Sequence, residues 1–165
     1  MRLFPADKYI ITSTLSKEEA ITALSKSVEP VKFLRLGFIR KENEPAFQGT
    51  NKGNTFRLSR IFYGKGVRPD IIVIINSAEK GSNIDVENKL PTYAKALFLS
   101  HLFFCVILFT AMMIHSIKNW SFNPLILIIL IFPILSYLIT TRTFWPECNL
   151  AGQELKRIFE GKIIE

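Results

Sequence analysis

Two uncharged apolar runs stand in the second half of this chain, at residues 96–114 (ALFLSHLFFCVILFTAMMI) and 124–140 (PLILIILIFPILSYLIT). Neither contains Asp, Glu, Lys or Arg. A bilayer hydrocarbon core of about 30 Å takes roughly 17–25 apolar residues as helix, and both runs reach that length with their flanks. The medium expected around this half is therefore lipid. A hairpin is predicted at 92–142, with spans at 94–115 and 123–141 joined by a short polar loop.

The 91 residues ahead of the hairpin leave room for one small folded domain. They carry fifteen Lys/Arg against ten Asp/Glu, which places +5 of the chain's net +7 in that domain. A basic domain tethered to a bilayer most simply meets anionic headgroups, which attract Lys and Arg at about 1 kcal/mol each near the surface. Nucleic acid is the competing partner for such charge and the less expected one beside a membrane.

Lys89 and Lys95 flank the start of the first run, and Arg142, Lys156, Arg157 and Lys162 follow the second. The loop at 115–123 carries Lys118 alone. By the positive-inside rule both termini are expected on the cytoplasmic side. Residues 1–15 have charged and polar groups where a secretory signal would be apolar, which agrees with a cytoplasmic front domain. Cys105 lies within the first run and Cys148 just past the second, at different expected depths. No disulfide framework follows from that placement, and a reducing compartment fits it.

The front domain, 1–91, reads as mixed α/β. Residues 8–14 (KYIITST) have strand composition. Ser16-Lys17-Glu18-Glu19 is a capping box, after which Ile21, Leu24 and Val28 recur at helical spacing until Pro30. A further strand is predicted at 31–39, with Gly37 as a bulge. Segments 47–50 and 55–61 flank Asn51-Lys52-Gly53-Asn54, whose Asn and Gly tolerate the positive φ of a hairpin loop. The continuous apolar run at 70–76 (DIIVIIN) suggests a central strand covered on both faces. Ile84 and Val86 alternate again before Pro91. After the hairpin, 146–165 reads as an amphipathic helix preceded by Pro146, with Leu150, Leu155, Ile158 and Phe159 along one side. Packing on the front domain and lying among headgroups are both open to it.

Both histidines, His101 and His115, and both cysteines fall outside the front domain. That domain therefore has no residues for a Ser-His-Asp or Cys-His site or a His/Cys zinc site of its own. No spacing singles out a pair of carboxylates, and Gly64-Lys65-Gly66 lacks the phosphate-loop spacing. No catalytic residue, metal site or cofactor is expected.

Between Ala46 and Pro69 there are five cations, Lys52, Arg57, Arg60, Lys65 and Arg68, and no acid. They form the candidate binding group for an anionic headgroup or ligand. The alternative is a solvated edge that discourages strand pairing. Strand alternation points Arg57 to solvent and sets Arg60 on the Phe56/Leu58 face, where a strand-end pairing with a carboxylate is the other role open to it. Within the first span, His101 and Ser100 are the candidate intramembrane polar groups. They have three readings: contact with the other helix through Ser136 or Tyr137, a proton or ion relay, or, the expected one, simple reach toward the interface. Tyr93, Trp120 and Trp145 stand where an aromatic belt belongs.

The stretch Phe47-Gln48-Gly49, then Phe56-Arg57-Leu58-Ser59-Arg60-Ile61, then Arg68-Pro69 with an apolar strand, resembles an uncharacterised group of bacterial membrane proteins. In that group a small α/β domain with an F-x-G…F-x-(I/L)-x-R pattern precedes two membrane helices and a short C-terminal helix. The resemblance implies an inner-membrane setting and the same layout, and it brings no assigned activity. Gly64-Lys65-Gly66 departs from the group's pattern.

The expected architecture is thus an α+β membrane protein: a cytoplasmic α/β domain, a two-helix transmembrane hairpin and a C-terminal amphipathic helix. The expected function is a non-enzymatic interaction or sensing module of the bacterial inner membrane. Its expected partners are the lipid bilayer, an acidic protein or a second copy of the chain. The alternative is a membrane-perturbing effector whose oligomerised hairpins open a pore.

Overall fold

The computed structural model describes residues 4–31, 45–61, 67–119 and 124–164. Seven strands form one sheet in the order β2-β3-β4-β5-β6-β1-β7. These are β1 (Ala6–Ser13), β2 (Val28–Glu29), β3 (Phe47–Lys52), β4 (Thr55–Arg60), β5 (Asp70–Ala78), β6 (Gly81–Lys89) and β7 (Lys162–Ile164). Every neighbouring pair is antiparallel except β2 and β3. The helices are α1 (Lys17–Lys26), α2 (Thr92–Lys118) and α3 (Leu125–Ile158).

The capping box closes as expected: Glu19 N donates to Ser16 Oγ at 3.3 Å, and Ser16 N donates to Glu19 Oε2 at 2.8 Å. Those bonds to Ser16 hold the Glu19 carboxyl below the usual carboxylate range. The helix stops at a Ser27 cap, so Val28 starts a strand instead of extending the helical stripe. Hydrogen bonding to β3 takes it: Phe47 N donates to Ser27 O at 3.3 Å. The β3–β4 hairpin turns at Gly53, at φ +63°. The strand expected at 31–39 lies almost wholly outside the described residues.

One face of the sheet holds the core. Ile11, Phe56, Leu58, Ile71, Val73, Ile75, Ile84 and Val86 pack there against Ala20 and Leu24 of α1 and Ala151, Leu155 and Phe159 of α3. Alternation is regular in β6, where every second residue from Ser82 to Asn88 is buried. The reading of 70–76 as a doubly covered strand is corrected here. Ile71, Val73 and Ile75 are buried, but Ile72 is half-buried and Ile74 is 36% exposed. An antiparallel sheet needs only one covered face, and both helices of this domain sit on the same side.

The apolar runs form helices long and apolar enough to cross a membrane, with mean hydropathy of 2.4 and 2.2 over their most apolar windows. Only 6% of each such stretch is buried, so neither helix is covered by the rest of the chain. They meet through Phe98 and Tyr137, whose ring centroids lie 5.9 Å apart, and through His101 and Phe132 at 4.8 Å.

Where a second span and a separate C-terminal helix were expected, there is one helix. α3 runs 34 residues through both Pro133 and Pro146. Its first half is exposed and apolar; its second half lies on the sheet, with Leu155 and Phe159 buried and Leu150 left 41% exposed. Gly152 permits the close approach, because a Cβ there would stand 3.0 Å from Tyr9 Oη. Beyond α3 the chain adds β7 to the edge of β1. The hairpin therefore returns the chain to the sheet it left.

At the junction, Arg60 Nη1 donates to Glu147 Oε2 at 2.8 Å, with the two side chains 17% and 10% exposed. This pair joins the end of β4 to α3 just after Pro146. Removing one partner of a buried pair costs about 3–5 kcal/mol, because the other charge is left uncompensated. E147A is therefore expected to destabilise the detergent-solubilised chain by about that amount. R60M/E147L, which removes both charges, should recover most of the loss, and thermal melts of the two variants check it.

Candidate functional site

The structure does not gather the five sequence-predicted cations into one group. Lys52 is exposed at the hairpin end of β3, and Arg57 is exposed midway along β4. Arg60 points to the opposite face and is taken up by Glu147. Arg68 is half-buried and already engaged in an interaction, and Lys65 lies outside the described residues. Ser100 Oγ donates to the carbonyl of Leu97 at 2.9 Å within its own helix turn. His101 stacks on Phe132 of α3, and its Nε2 is buried without a partner. It makes no hydrogen bond to Ser136 or Tyr137.

Arg57 acquires other neighbours. On the open face of the sheet, a cleft of about 420 Å³ runs from β3 to the first turn of α2. Its polar lining includes Gln48, Arg57, Asp70, Lys89, Thr92 and Lys95. Strand pairing builds it: Gln48 stands opposite Ser59, Thr50 opposite Arg57, and Asp70 opposite Lys89. Pro91 caps α2 with no side-chain hydrogen bond, so the helix opens beside the cleft with free amides in its first turn. Three cations face one acid there.

The charges differ in how far they are committed. Lys89 Nζ is 2.6 Å from Glu87, which also takes Lys8 at 2.8 Å. The hydrogen bonds from Lys8 and Lys89 hold the Glu87 carboxyl below its usual range. Burial raises the Asp70 carboxyl, and the nearby Lys95 charge opposes that shift. Arg57 has no ion pair among the described residues. Gln48 is 9% exposed, and its Oε1 is buried without a hydrogen-bond partner.

Sequence reading missed Gln48, Lys89 and Lys95 as members of a site. The two lysines are visible in the sequence only as flanks of the first apolar run. Nothing in the spacing of residues so far apart along the chain signals that they meet.

A second cavity, of about 480 Å³, lies between β1 and α3 and is lined by Asp7, Tyr9, Cys148, Gly152 and Ile163 among others. Burial pushes the Cys148 thiol up to about 12, with the charges of Asp7 and Glu147 adding to it. Burial likewise pushes the Tyr9 phenol up to about 12, against an opposing effect of Asn88. Both potential nucleophiles are thus held protonated. Among the described residues no three His, Cys, Asp or Glu side chains converge on a point where a metal ion could sit.

Because the thiolate is the reactive form, Cys148 in a C105S background should resist maleimide at pH 8 in the folded chain and react once the chain is denatured. The raised values also set a direction for stability. It should be intact below about pH 9, the ordinary thiol value, and fall as pH climbs toward 12, where folding opposes ionisation of both groups. Alkaline unfolding curves for the wild type and C148A check this, and the variant should have the shallower decline. Compared with protein-family models, curated proteins and solved structures, the chain finds no match.

Proposed function

We propose that this protein is a two-pass, membrane-anchored interaction or sensing module, set in the bacterial inner membrane with the sheet domain on the cytoplasmic side. The observation that carries the reading is the continuity of α3, whose apolar half and sheet-packing half are one helix. Pro146 is a natural bending point, and Phe144 and Cys148 packed on Leu90 and Ala94, with Glu147 paired to Arg60, hold the helix on both sides of it. A shift or tilt of the apolar half then reaches the sheet through these contacts, and a ligand on the sheet acts on the helices by the same route.

The charge asymmetry around the hairpin supports the cytoplasmic placement, with Lys89, Lys95 and Arg142 on the sheet side and Lys118 alone at the loop.

Tagged full-length protein should remain with the membrane pellet after alkaline carbonate extraction and dissolve only with detergent. Fluorescent-protein fusions at either end should fluoresce, as they do only in the cytoplasm. A chain that is monodisperse in buffer without detergent would overturn the membrane reading. A membrane-potential dye should report no change on induced expression, whereas depolarisation would replace the interaction module with a pore.

A further inference from the structure

We infer that the cleft between the open face of the sheet and the first turn of α2 binds a phosphate ester bearing free hydroxyls, presented as the headgroup of an anionic phospholipid. The inference rests on the membrane reading above and adds the ligand to it.

The lining sorts into two kinds of partner. Arg57, Lys89 and Lys95 supply positive charge and N–H donors, and the uncapped amides of α2 add the favourable end of a helix dipole. A phosphoryl group satisfies that set, with the planar guanidinium of Arg57 suited to two of its oxygens. Gln48 and Asp70 are acceptor-bearing side chains lining the same cleft; Gln48 Oε1 is covered and has no hydrogen-bond partner, so a turn of its amide is what brings it to a ligand hydroxyl. Hydroxyl groups next to the phosphate complete them. A bare phosphate or a polyphosphate would leave Gln48 unmet and place extra negative charge beside Asp70. A singly charged phosphodiester with a polyol, such as a glycerol headgroup, meets every member.

Position supplies the source. Lys95 borders the cleft, and the uncharged run at 96–114 begins one residue later. The cleft therefore opens at the level where the apolar helices leave the hydrocarbon, which is the headgroup layer. A lipid can seat its phosphate there with its tails beside α2. The apolar neighbours Leu97 and Leu99, 65% and 48% exposed, offer those tails a surface.

The test uses full-length protein purified in neutral detergent. Binding of short-chain phosphatidylglycerol is measured against phosphatidylcholine of the same chain length and against soluble glycerol phosphate. Phosphatidylglycerol should bind at least about tenfold more tightly than phosphatidylcholine, and R57Q/K95Q should lose about tenfold or more of that affinity, as expected when charge-assisted hydrogen bonds are removed. Q48L should weaken binding while leaving charge unchanged. K52Q/K80Q, which removes two cations from the far end of the sheet, should bind like the wild type.

Melting curves accompany each variant, and the single substitutions R57Q and K95Q replace the double one if it melts early. Glycerol phosphate binding as tightly as the lipid would uphold the phosphate-polyol chemistry and move its source to a soluble ester. Equal binding of phosphatidylcholine, or wild-type affinity in R57Q/K95Q, would overturn the site. A chain soluble without detergent sinks the membrane reading separately, and glycerol phosphate alone then decides whether the cleft binds.

Discussion

One helix here has to satisfy two surroundings, and the rest of the structure is arranged around that demand. At about 1.5 Å per residue, α3 is about 51 Å long, more than a hydrocarbon core requires. Its first half is apolar, uncharged and exposed, and its second half must present a stripe to a sheet. The change occurs between Arg142 and Glu147, where Pro146 removes one main-chain bond without ending the helix. Glu147, Cys148, Ala151, Gly152 and Leu155 then follow as buried positions. Removal of water from Glu147 is unfavourable unless it is paired, and Arg60 at the end of β4 supplies the pair.

A second small cluster makes the junction stiff. Leu90 and Ala94 at the start of α2 pack with Phe144 and Cys148 of α3, with Phe4 and Val67 alongside. The aromatic contacts Phe4–Phe98 and Phe98–Tyr137 carry that packing up between the two helices. Ser13 Oγ donates to the carbonyl of Phe159 at 2.6 Å where α3 ends, and β7 pairs with β1 immediately afterwards. The distal end of the helix is thus held as firmly as the proximal one.

Local chemistry was legible in the sequence wherever it was decided locally. The capping box, the Gly53 hairpin, the alternation at Ile84 and Val86 and the two apolar helices each depend on residues close along the chain. What remained hidden depends on pairing at a distance. Val28 has the spacing of a helical stripe, and only the hydrogen bond from Phe47 to Ser27 shows why it leaves the helix. The run at 70–76 is apolar enough for a doubly covered strand, yet both covering helices pack on one side. Pro146 looked like a boundary because proline ends many helices, but a helix already held on both sides tolerates it. The cations were misgrouped for a similar reason. Closeness in sequence along β4 places successive side chains on opposite faces, so Arg57 and Arg60 part company, while β6 and α2 bring Lys89 and Lys95 to Arg57.

The two rims of the sheet are β2, two residues long, and β7, three residues long. Among the described residues β2 covers only Phe47 and Gln48 of β3, and β7 covers only Ile10, Ile11 and Thr12 of β1, so 49–52 and 6–9 keep one edge open. Exposed Lys8 and Lys52 stand on those open stretches, and charge there discourages a second copy from extending the ladder.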